Sequence, residues 1–171
     1  MKRTASPHPD LLLAQEIAYK PSKLLFQNLK TEDESAEYGA SEFSINKRLI
    51  KFRVGKITPT KAGQFVTFWK RIGNGPILPY EFNDAFDFLV VSVRSENNFG
   101  QFIFPKTVLC EKGIVSCGGK EGKRAMRIYP SWDITDNPQA RKTQTWQLQY
   151  FIKFSGHSCD AAHLRYLFNL V

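Results

Sequence analysis

Acidic residues are missing from one long stretch of this 171-residue chain: eight Lys and Arg, and no Asp or Glu, lie between Lys47 and Arg71. Cysteine is scarce as well. The three present, Cys110, Cys117 and Cys159, show neither zinc-type spacing nor a disulfide framework. Their odd count argues against an oxidised scaffold, so a reducing cytoplasm is the expected compartment. No apolar run approaches the ~18 residues of a membrane span. Leu11-Leu12-Leu13-Ala14 is cut off by Gln15 and Glu16, too early for a signal-peptide core. Internal repeats, low-complexity tracts and linkers are lacking too, which leaves one domain over 1–171 and no membrane partner as the expectation.

What is present is a composition that packs a core: 42% hydrophobic, 13% aromatic and 23% charged residues. The net charge of +8 favours an anionic partner, nucleic acid or nucleotide first among them. Asp10 is placed to cap a helix that Pro21 ends. Phe43–Ile45 and Leu49–Ile57 are β-type runs joined at Asn46-Lys47, with Ile50, Phe52 and Val54 on one face and Lys51 and Arg53 on the other. Thr58–Gly63 is a connection, Gln64–Arg71 a strand, and Gly73–Pro79 a loop. Phe86–Val93 is nearly continuously apolar, which suits a central strand covered on both faces. Further strands are expected at Phe99–Phe104 and Ala125–Tyr129. A short helix is expected at Thr107–Lys112, and others from Asn137 through Trp146 toward Phe151 and from Ser158 onward. The class is α+β: a curved, mostly antiparallel or mixed sheet with helices at its N- and C-terminal ends.

Lys56-Ile57-Thr58-Pro59-Thr60-Lys61-Ala62-Gly63-Gln64-Phe65-Val66-Thr67-Phe68-Trp69-Lys70-Arg71 resembles the MepB family. Phe86-Asp87-Phe88, Gly100-Gln101-Phe102-Ile103-Phe104-Pro105-Lys106, Gly122-Lys123-Arg124-Ala125, Arg127-Ile128-Tyr129-Pro130-Ser131-Trp132 and Gln144-Thr145-Trp146-Gln147 extend the likeness over about 37–151. The C-terminal helix, 155–171, lies outside it. The resemblance implies a small, single-domain bacterial cytoplasmic protein and carries over no catalytic residue.

Two basic groups carry the functional expectation. Arg53, Lys56, Lys61, Lys70 and Arg71 form the first, Lys123, Arg124 and Arg127 the second, and together they are the candidate phosphate-neutralising set. Trp69, Tyr129 and Trp132 are candidate stacking rings. Cations that track phosphates beside exposed rings suit single-stranded nucleic acid better than duplex, because no basic groove-reading helix is evident. Glycines at 118, 119 and 122 let backbone amides approach a phosphate, although no Gly-x-x-x-x-Gly-Lys-Ser/Thr loop occurs.

A second reading is enzymatic. Glu37, Asp87, Gln101 and Lys56 or Lys106 could imitate a restriction-endonuclease-like core, in which a divalent metal activates water against a phosphodiester. Only this reading requires a cofactor. As a structural residue Asp87 would instead be the partner of a nearby cation. A third reading is a protein-interaction module whose basic face meets an acidic partner. His157, Cys159 and His163 gather metal-ligand residue types but lack a fourth ligand, so no metal site is expected there.

Overall fold

The apolar run that begins at Phe86 can be satisfied only where both of its faces are covered. The computed structural model, which describes residues 5–170, puts it in the middle of a sheet. In chain order the strands are β1 (Gln27–Thr31), β2 (Ser41–Ile45), β3 (Arg48–Val54), β4 (Lys56–Ile57), β5 (Gln64–Thr67), β6 (Lys70–Arg71), β7 (Ile77–Leu78), β8 (Phe88–Ser95), β9 (Asn98–Pro105), β10 (Ala125–Ile128) and β11 (Phe151–Phe154). The helices are α1 (Pro9–Ala14), α2 (Lys106–Glu111), α3 (Pro138–Gln147) and α4 (Ala161–Leu167). The main sheet runs β1-β2-β3-β8-β9-β11, and β10-β5-β4 form a smaller one. All pairs are antiparallel except β3 with β8, where Ile50 stands beside Phe88 and Val54 beside Ser92. The class is thus the α+β arrangement expected, with a mixed sheet.

Residues 88–93 are all buried, and alternation sends them into two cores. Phe88 and Val90 face Phe43, Phe52, Tyr19 of the N-terminal helical segment and Phe168 at the end of α4. Leu89, Val91 and Val93 face Phe102, Phe104, Ile128 of β10, and Val66 and Phe68 of the small sheet region. The β2–β3 hairpin closes as expected at Asn46-Lys47, both with positive φ (48° and 65°), the geometry of a tight turn whose twist matches its strands. Besides the two-residue β7, which falls within the Gly73–Pro79 segment expected to be a loop, two strands were invisible to pattern. Strand β1, Gln-Asn-Leu-Lys-Thr, has no apolar alternation, and β11 follows α3 after one tight turn, so a helix reading ran straight into it. The first helix starts two residues early, at Pro9. His8 Nδ1 accepts from the Asp10 N–H at 3.0 Å, so His8 and not Asp10 is the cap.

The small sheet lies over the very face of β3 that carries Lys51 and Arg53, and the consequence is electrostatic. Arg53 is 1% exposed. Its guanidinium donates to Glu32 at 2.8 Å and lies 5.5 Å from the Phe68 ring centroid. Lys51 bridges Glu32 at 2.5 Å and Glu42 at 2.6 Å. Burial works against the Lys51 ammonium, but hydrogen bonds and charge from Glu32 and Glu42 outweigh it and hold its pKa above the ordinary lysine value. Burial likewise pushes Glu42 upward, and Lys51 and Lys30 more than reverse this, leaving its carboxyl below the ordinary range. Arg53 is therefore corrected from a phosphate ligand to a structural cation.

Removing the shared carboxylate leaves the buried Arg53 without its carboxylate partner and Lys51 with Glu42 alone. Glu32→Gln should lower the unfolding free energy by about 3 kcal/mol, the scale for breaking a buried pair, as read from urea titrations. The pH dependence has a definite sign. The lowered Glu42 contributes stability that is present above its unfolded pKa and lost as pH falls through the folded value. The raised Lys51 contributes stability that is present below its unfolded pKa and lost as pH rises through the folded value. Urea titrations across pH should therefore show stability falling at both the acid and the alkaline end, and Glu42→Gln should flatten the acid limb.

Candidate nucleic-acid interface

Helix α3 begins where Asn137 Oδ1 accepts from the Ala140 N–H at 2.8 Å, with Pro138 in its first turn. Its other end is fastened to β10 by one buried side chain. Gln147 Nε2 donates to the Arg127 carbonyl at 3.0 Å, and its Oε1 accepts from the Tyr129 N–H at 2.9 Å. The connection between them folds back because Gln144 donates to the carbonyls of Pro130 and Asp133, at 2.9 and 3.0 Å. Between α3 and the small sheet this leaves a groove of about 640 Å³.

Three further segments complete its walls. The Thr58–Gly63 connection contributes Lys61 and is drawn in by Arg127, whose Nη1 donates to Thr58 Oγ1 at 3.0 Å and to the Ala62 carbonyl at 3.1 Å. Gly63 has φ +78°, and a side chain there would run into the Tyr129 ring, so the residue has to be glycine for the connection to lie this close. The segment after α2 contributes Lys112, whose ammonium sits 5.4 Å from the Trp146 ring centroid, and Ile114, whose carbonyl accepts from the Lys123 N–H at 2.9 Å. A Cys110–Cys117 disulfide closes the loop that holds both. This differs from the expectation that the cysteine spacing shows no disulfide framework; Cys159 is free.

The groove therefore gathers Lys61, Lys112, Lys123 and Arg127 against a single carboxylate, Asp136, and adds the rings of Phe65, Tyr129 and Trp146. The anchoring of Nη1 leaves Arg127 Nε and Nη2 with no partner among the described residues. One anchored cation, Arg127, and three exposed lysines beside half-buried rings can hold a phosphate and stack a base in one place.

Of the candidate phosphate-binding residues, the structure brings Lys61, Lys123 and Arg127 together, and it places the others elsewhere. Lys56 is exposed and rests over the Tyr38 ring at 4.4 Å. Lys70 is paired with Asp84 at 2.8 Å and Glu81 at 3.5 Å, Arg71 with Glu34 at 3.0 Å, and Arg124 with Glu121 at 3.0 Å. Among the candidate rings only Tyr129 lines the groove. Trp69 lies beneath Arg71, and Trp132 packs on Phe151 with its indole N–H unpartnered among the described residues. Phe65, Lys112 and Trp146 complete the site; Phe65 and Trp146 lie in stretches that carry the family resemblance, whereas Lys112 has no sequence signal.

The nuclease-like set does not assemble. Asp87 is exposed and accepts from the Leu49 N–H at 2.8 Å, so it secures the start of the β3–β8 pairing rather than pairing with a cation. Gln101 is buried on the other face, where it accepts from the Tyr19 hydroxyl at 2.6 Å and donates to Ser92 at 2.8 Å. Ser92 is five residues along β8, roughly 16 Å at the strand rise. Glu37 sits on the Ala36–Tyr38 turn, which leads to Gly39 beside Val54 at the far end of β3. Only Asp87 and Lys106 share a small hollow, with Arg48, and Lys106 there donates to the Asp84 carbonyl at 3.0 Å. Among the described residues no three His, Cys, Asp or Glu side chains gather as metal ligands; His163 and Cys159 contact main-chain carbonyls.

A family model described as MepB-like matches residues 32–153. The crystal structure of MepB is 35% identical in sequence, with a TM-score of 0.75, over 87% of this chain and 99% of that one. No curated protein matches.

Two substitutions test these assignments. Asp87→Ala removes the acceptor of the exposed Leu49 N–H bond and should cost about 0.5–1.5 kcal/mol of stability, whereas Asp87→Asn keeps an acceptor and should cost less. Opening the disulfide with dithiothreitol, or replacing Cys110 by Ser, should cost about 2–3 kcal/mol on loop-closure grounds. Hydrogen exchange should then rise first in residues 110–117.

Proposed function

The chain belongs to the MepB-like family, and from that premise we propose that the groove between α3 and the small sheet binds single-stranded nucleic acid. One observation carries the reading: four cations face one carboxylate in the same cleft that holds three aromatic side chains. Cations alone would suit any polyanion, and rings alone would suit any apolar ligand. Their combination suits a chain of phosphates bearing stackable bases. A duplex keeps its bases stacked inside, out of reach of rings set between a strand edge and a helix, so unpaired nucleotides are the ligand. This reading supposes a bacterial cytoplasmic setting; among the described residues no helix is long and apolar enough to cross a membrane. A reducing compartment of that kind would tend to open the Cys110–Cys117 bond.

Three or four phosphates neutralised in the groove correspond to a slope of about −2 to −3 in log affinity against log salt for a single strand. Fluorescence anisotropy with labelled oligonucleotides measures it. Lys61→Glu with Lys123→Glu should abolish most binding and flatten the slope, while Lys47→Glu, on the β2–β3 turn, should change little. Binding that is equal for duplex and single strand, or indifferent to the groove pair, would show the reading to be wrong.

A further inference from the structure

Strands β5 and β10 exchange hydrogen bonds at alternate residues. The Phe68 N–H donates to the Arg124 carbonyl at 2.9 Å. With Met126 opposite Val66 and Ile128 opposite Gln64, alternation turns the main-chain groups of Ala125, Arg127 and Tyr129 toward the opposite edge. Half of that edge is closed. The planar amide of Gln147 occupies it, donor to the Arg127 carbonyl and acceptor from the Tyr129 N–H. The other half is open: the Ala125 N–H, the Ala125 carbonyl and the Arg127 N–H have no partner among the described residues, and both residues line the groove.

A strand edge offers the same pairing unit at every second residue, so the Gln147 amide shows what fits the vacant unit beside it: a planar group with donor and acceptor side by side. The Watson–Crick face of a nucleobase is such a group, and the rings of Tyr129 and Trp146 lie in the same cleft to hold it flat. On the reading that this groove takes single-stranded nucleic acid, we propose that the open edge of β10 at Ala125–Arg127 reads a base, and that it prefers the uracil or thymine ring.

The preference follows from the order of groups. Along the edge they run donor, acceptor, donor. Uracil and thymine present the complement, acceptor, donor, acceptor, through O2, N3–H and O4. Cytosine presents donor, acceptor, acceptor, and adenine a donor beside one acceptor, so each pairs with fewer of the three groups. Guanine presents acceptor, donor, donor, and sets its amino group against a backbone N–H. A mispaired donor in a partly desolvated cleft loses its water without gaining a partner. Phosphate contacts by Lys61 and Lys123 are the same for all four bases, so the discrimination lies in the edge alone.

The test changes the ligand, so that it does not depend on a variant that folds. Oligothymidylate is compared by anisotropy with the same oligomer methylated at N3, which keeps every phosphate and ring but replaces the central donor. Loss of about tenfold in affinity, within the range of one base-edge pair, with an unchanged salt slope, is the expected result. In ¹⁵N-resolved spectra the Ala125 and Arg127 amides should shift with oligothymidylate and not with the methylated oligomer. Equal affinity of the two oligomers, or stronger binding of oligoguanylate than of oligothymidylate, would overturn the base reading and leave the groove's single-strand reading standing. Failure of every oligomer to bind at low salt would overturn both.

Discussion

The two-sided burial of β8 is the constraint on which the rest of this molecule depends. A strand with no polar face cannot sit at the surface of a two-layer protein, so something must cover each side. The terminal helices cover one side, and the second falls to a three-stranded sheet made from the segments around Gln64–Thr67 and Ala125–Ile128. Those segments are among the most basic in the chain. Their charged residues must therefore either turn outward or be paired inside, and the structure contains both outcomes.

The inward outcome is the Arg53–Glu32–Lys51–Glu42 cluster. Alternation in β3 correctly separates Lys51 and Arg53 from Ile50 and Phe52, but alternation says only that two faces differ, not which of them meets water. Both faces of β3 are covered, one by helices and one by the small sheet, so the charged face becomes an interior that needs carboxylates brought from β2 and from Glu32, just past the end of β1. These carboxylates are the acidic residues that the basic stretch lacks, supplied across space instead of along the chain. Unpaired, either cation would cost more than the strand could recover from burial.

How far the sequence was legible follows the range of the interactions involved. The β2–β3 hairpin, β8, β9, α3 and the capped start of α3 are fixed by local turn chemistry and periodicity, and they stand within a few residues of where pattern puts them. Strand β1 and strand β11 are edge strands defined by their partners, and a short run such as Phe-Ile-Lys-Phe takes its conformation from β9 rather than from its own composition. The site divides in the same way. Lys61, Lys123, Arg127 and Tyr129 belong to segments whose charge is evident in sequence. Lys112 and Trp146 come from distant parts of the chain and meet only because α3 docks against β10. The nuclease-like set does not assemble for a related reason: Asp87, just before β8, and Gln101 of β9 are put by alternation on opposite faces of one sheet.

The groove itself is a by-product of how the small sheet ends. A three-stranded sheet laid over a six-stranded one must stop somewhere, and an exposed edge invites another strand unless it is blunted. Here α3 blunts it with a single amide from Gln147. The helix is held close at that one point, near Tyr129, and stands off from the rest of β10. The interval is lined by whatever both elements present there: the aromatic Trp146 from the helix, unpaired main-chain groups from the strand, and cations from the two loops that reach its mouth. A ligand that brings phosphates to the mouth and a flat hydrogen-bonding ring to the floor completes the edge that Gln147 completes only in part.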